Sequence, residues 1–77
     1  MLIADLNAHD YHVVRAVSEA CARFGRISSV RVHRNPEPFA LVEMADRAHA
    51  YELAFQLGGS MFGNCVLIHL EPMRVAA

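Results

Sequence analysis

Two apolar stripes with helical spacing, each ended by glycine, divide this 77-residue chain. Val14, Val17, Cys21 and Phe24 recur at intervals of three and four, and Gly25 follows them. In "ADRAHAYELAFQLGG", Ala50, Leu53, Ala54 and Leu57 repeat the pattern before Gly58-Gly59. Such intervals turn one side of a helix toward a core. Glycine just past the last turn takes the backbone conformation that ends a helix. Asn7 or Asp10 offers an N-cap for the first helix, and Arg23 lies near the negative end of its dipole.

Between and around the helices the pattern changes to that of strands. "MLIADL" is a short apolar candidate. "RISSVRVHR" sets Ile27, Val30 and Val32 against Ser29, Arg31 and His33, the alternation of a strand with one buried face. "NPEP" is a turn, because its two prolines give up ladder donors. "FALVEM" is a second strong strand, and "FGNCVLIHL" turns at Gly63-Asn64 before a last one. The order is β-α-β-β-α-β, the split βαβ arrangement. It predicts an α+β, ferredoxin-like fold in which two helices cover one face of a four-stranded antiparallel sheet and leave the other open. Residues 1–72 form one domain in this reading, and 73–77 a frayed tail.

Composition removes several functional classes. The chain has six Phe and Tyr and no Trp, so its core is built from Val, Leu, Ile and Ala. No apolar run reaches the ~20 residues of a membrane span. "MLIADL" is too short for a signal peptide and an acid follows where cleavage would fall, so a cytoplasmic location is expected. Cys21 and Cys65 form neither a CxxC pair nor a disulfide framework. No Ser-His-Asp set, paired carboxylates or phosphate loop is present, which points away from catalysis and from any cofactor. The five histidines give no metal site. His9 and His12 share a first-turn face without a third ligand, and His33 and His69 fall on opposite edge strands, about 14 Å apart at ~4.8 Å per strand. A net charge of −1 supplies no strong field toward nucleic acid, although every basic side chain is Arg.

Four landmarks resemble the RNA recognition motif over about 70 residues. "FGRISSVRV" is similar to that family's passage from first helix to second strand, and "LGGSMFGNCVLI" to its ending. "MLIADL" stands in the place of its first-strand hexapeptide and "EPFALVEM" in that of its third-strand octapeptide. The resemblance implies a spatial strand order of 4-1-3-2 and RNA bound on the open sheet face. The octapeptide departs from the motif, whose opening Lys or Arg and Gly are replaced here by Glu37 and Pro38. One stacking ring remains at Phe39; Leu41 and Leu2 stand where others are usual. A base stacked on an aromatic is worth roughly 1–3 kcal/mol, so losing one or two costs up to about four decades of affinity.

Strand alternation then defines the expected open face. With Ile3, Val30, Val32, Ala40, Val42, Val66 and Ile68 turned inward, Leu2, Ala4, Ser29 and Glu43 join Arg31, His33, Phe39, Leu41, Leu67 and His69 on the outward face. Leu2, Leu41, Leu67 and Phe39 form an apolar patch there, bordered by Arg31, His33 and His69. Weak single-stranded RNA binding is expected there, through Phe39 and Arg31 with apolar contacts from Leu2 and Leu41. Arg26 and Arg34 near strand ends would add phosphate contacts. The alternative is a protein partner, or a second copy, docked on the same apolar face. A third reading is a small-ligand regulatory domain of the ACT type.

Overall fold

The computed structural model describes residues 1–73. Along the chain run β1 (Leu2–Ala4), α1 (Asp10–Ala22), β2 (Ile27–His33), β3 (Phe39–Met44), α2 (Arg47–Leu57), β4 (Ser60–Phe62) and β5 (Cys65–Pro72). The fold is α+β, with two helices on one face of a mixed five-stranded sheet. Positions 74–77, most of the expected frayed tail, lie outside the described residues. Met73 is tied down, its N–H donating to the Ala4 carbonyl at 2.9 Å.

Both helices form where their apolar stripes lie. α1 buries Val13, Val17 and Cys21, with Val14 and Phe24 half-buried beside them. Its N-cap is His9 (φ −58°, ψ 152°), without a side-chain cap bond, rather than Asn7 or Asp10. Asn7 is held outside the helix, its N–H donating to Asp5 Oδ1 at 3.1 Å. α2 is capped as sequence chemistry favours. Asp46 Oδ1 accepts from the Ala48 N–H at 2.8 Å, and Gly58 takes the left-handed conformation (φ 69°) that ends the helix.

The sheet departs from the expected arrangement. Its order is β1-β5-β3-β2, with β4 on the same edge of β5 as β1, and not 4-1-3-2. β3 pairs antiparallel with β2 and with β5, whereas β1 pairs parallel with β5. The cause is β4, a three-residue strand that the expected fold lacks. It forms a hairpin with β5 across Gly63-Asn64, so the chain reverses once more than expected. β5 therefore runs antiparallel to β3 and fills the central place.

Strand length decides the competition for that place. A central strand must satisfy backbone groups on both edges. β1 has three residues, while β5 has eight and matches β3 through five consecutive pairs, from Phe39↔His69 to Glu43↔Cys65. β1 is left to extend the far edge, where Leu2 pairs with Leu70 and Ala4 with Pro72.

A bulge in β2 explains its broken alternation. The register shifts between Ile27 and Ser29, so Ile27 and Val30 both approach the core although they are three residues apart. The core itself joins Val13, Val17, Cys21, Ala50 and Leu53 of the helices to Ala4, Ala40, Val42, Met44, Val66, Ile68 and Leu70 of the sheet. No side-chain N or O is buried without a hydrogen bond among the described residues. None of the described helices is long and apolar enough to cross a membrane.

Candidate functional site

The face of the sheet turned away from the helices carries most of the residues singled out from sequence. Paired residues share a face, so the strand registers arrange them in three rows. The first row is Ser29, Glu43, Cys65 and Phe62. Arg31, Leu41, Leu67 and Ser60 form the second. His33, Phe39 and His69 form the third.

Leu41 and Leu67 are direct cross-strand neighbours at the centre, both half-buried by the side chains around them. Phe39 is also half-buried, and its ring lies nearly parallel to that of His33 at 4.8 Å and 16°. The imidazole thus covers part of the ring that was expected to receive a base. His69 stands on the other side of Phe39. His33 and His69 are separated by β3 alone, about 10 Å at ~4.8 Å per strand, and not by the span of the whole sheet.

Arg31 and Glu43 are exposed, diagonal neighbours in the first two rows, and neither takes part in an ion pair among the described residues. With Ser29, Leu41 and Cys65 they line a shallow depression. The half-buried Cys65 sets its Sγ 4.0 Å from Glu43 Oε2.

Leu2 is not part of this face. It is half-buried against the core, and Ile3, with 65% of its surface exposed, points outward instead. Parallel pairing with the buried Leu70 fixes Leu2 on the helix side, and a register change of one residue exchanges the two faces of a strand. Ile3 was expected inside and Ala4 outside, yet Ala4 is sealed in the core, so all three assignments on β1 are corrected together.

Arg34 is occupied elsewhere. Its guanidinium pairs with Asp10 at 2.9 Å, donates to the Ala8 carbonyl at 2.7 Å and also to the Leu6 carbonyl. It fastens the β1–α1 loop and is not free for phosphate. Phe62 was missed in the sequence reading; it stands 61% exposed at the β4 edge of the face. The turn at Gly63-Asn64 is legible in the sequence, and a two-residue hairpin turn requires a strand before it as well as after, which would locate Phe62.

The remaining reactive groups lie apart. Burial pushes the Cys21 thiol up to about 11, against the opposing pull of Arg23, which keeps it protonated and unreactive at neutral pH. His9 caps α1 and His12 meets Tyr11 edge-on at 5.5 Å. Among the described residues no three His, Cys, Asp or Glu side chains gather as metal ligands would. Compared with known proteins, the chain matches no family model, no curated protein and no solved structure.

Proposed function

We propose that this chain is a small interaction module whose working surface is the open sheet face, and that the face takes a protein partner. The observation that carries this reading is the contiguous apolar centre of the face. Phe39, Leu41, Leu67 and Phe62 are joined through direct or adjacent register positions, on a surface no core packing requires. The largest apolar patch on a monomer is often its functional one. Around it the charges balance, Arg31 against Glu43, which suits a protein surface better than a polyanion.

RNA binding is the second reading. The row of His33, Phe39 and His69 with Arg31 below it favours it, as does the resemblance of "EPFALVEM" and its companions to the RNA recognition motif. Against it stand the stacking of His33 on Phe39, the absence of Leu2 from the face, and the engagement of Arg34 with the β1–α1 loop.

Cys65 provides the test, because it is the half-buried thiol on the face while Cys21 is sealed in the core. A photoreactive benzophenone attached at Cys65, irradiated in extract of cells that express the chain, should give adducts destroyed by protease and untouched by nuclease. Nuclease-sensitive adducts would transfer the function to RNA, and no adducts at all would remove the face as a binding surface.

A further inference from the structure

Resting on the reading of the open face as a protein surface, we infer that its partner is a second copy of this chain, docked sheet to sheet about a two-fold axis that passes over Leu41 and Leu67. In a two-fold interface the same patch meets itself, so each feature must find its complement on the same surface. The positions of this face can be laid out from its registers, with strands ~4.8 Å apart and rows ~6.8 Å apart. Arg31 and Glu43 then lie about 8 Å apart on the diagonal, one strand and one row from each other. An axis in the plane of the face and running midway between them sets each Arg31 against the partner's Glu43, twice.

That one requirement fixes the axis, and the other residues can then be checked against it. The axis runs over Leu41 and close to Leu67, so the two leucines of one copy meet those of the other at the centre. The same rotation brings Phe39 to within about 3 Å of the position of the partner's Phe62. It also lays His69 over the partner's Ser60, a donor–acceptor match. Like charges never meet. The strands of the two sheets cross at roughly 110°, close to the orthogonal class of sheet packing.

The shape of the face agrees with a modest affinity. Four strands by three rows cover about 19 by 20 Å, roughly half the ~800 Å² per partner of a standard interface, so a weak, transient pair with dissociation in the high-micromolar range is expected. A monomer–dimer equilibrium should therefore be visible by sedimentation across that range.

Charge exchange tests the geometry. Arg31→Glu sets Glu against Glu and Glu43→Arg sets Arg against Arg, so each variant alone should dimerise at least about ten-fold more weakly. Both residues are exposed, and circular dichroism with a melting curve confirms that each variant is folded. Mixing the two variants restores both opposite-charge contacts, and a heterodimer close to wild-type affinity is expected. The double variant should likewise dimerise with itself. Several outcomes overturn the inference: a wild type that stays monomeric at about 0.5 mM, dimers indifferent to both charges, as pairing of two β2 edges would give, or a mixture that does not recover. If the chain is monomeric while Cys65 still yields protein adducts, the second copy fails as partner and the protein-binding face survives.

Discussion

Ala40, Val42 and Met44 point from β3 into the core and are almost wholly sealed from water, whereas Phe39, Leu41 and Glu43, one residue out of step, look outward. The same contrast runs along β5, where Val66, Ile68 and Leu70 are buried and Leu67 and His69 are not. Inward residues are set by packing, and their apolar character needs no other explanation. Outward residues carry no such requirement, yet Phe39, Leu41 and Leu67 form an apolar centre there, bordered by Arg31, Glu43, His33 and His69. On the function proposed above, that apolar centre is what a partner covers.

Truncating one leucine on each face should separate core packing from surface function. Leu53→Ala removes a fully buried α2 side chain and should lower unfolding stability by about 2–5 kcal/mol in dilute urea titrations. Leu67→Ala should cost roughly 1 kcal/mol or less under those conditions. Its larger effect should appear in sedimentation, as loss of self-association. Equal stability losses at the two sites would mean that Leu67 serves the core, and the functional meaning of the outer face would go with it.

The two cysteines sharpen the contrast further. In the folded chain Cys21 is raised from 9.0 to about 11 by burial, so the native state keeps a proton that the unfolded chain releases above pH 9. Stability should accordingly be intact below pH 9 and fall by about 2–3 kcal/mol as pH rises to 11. Cys21→Ala should flatten that decline, measured by denaturant titration at each pH. Cys65→Ala should leave it in place. A thiol reagent at neutral pH should modify Cys65 readily and Cys21 only on unfolding.

Much of the fold was legible in the sequence because its strongest signals are local. The helical stripes, the Gly58 stop and the alternation of "FALVEM" each reflect a single element against a core. The strand order is a contest between elements, and there the short "SMF" segment mattered most. Three residues barely register as a strand, yet β4 reverses the chain, places β5 beside β3 and sends β1 to the edge. β1 shows the same limit in another form. "LIA" is apolar at every position, so alternation cannot say whether Leu2 or Ile3 faces inward, and only pairing with Leu70 does. The candidate site was legible where polar and apolar residues alternate, at Arg31, His33, Phe39, Leu41, Leu67 and His69, which do come together on one face. The stacking of His33 on Phe39 follows from their cross-strand pairing, which becomes visible only with the register.

Whether the outer face binds protein can be read residue by residue from amide-resolved NMR. Spectra are recorded as the protein is diluted from about 1 mM to about 10 μM, and again with a pool of short single-stranded RNAs at low and moderate salt. The account predicts that Arg31, Leu41, Glu43 and Leu67 shift on dilution, while the RNA pool leaves them unmoved. It is contradicted if these residues ignore protein concentration but shift with RNA, the more weakly as salt rises, with a slope of about −0.7 per phosphate contact.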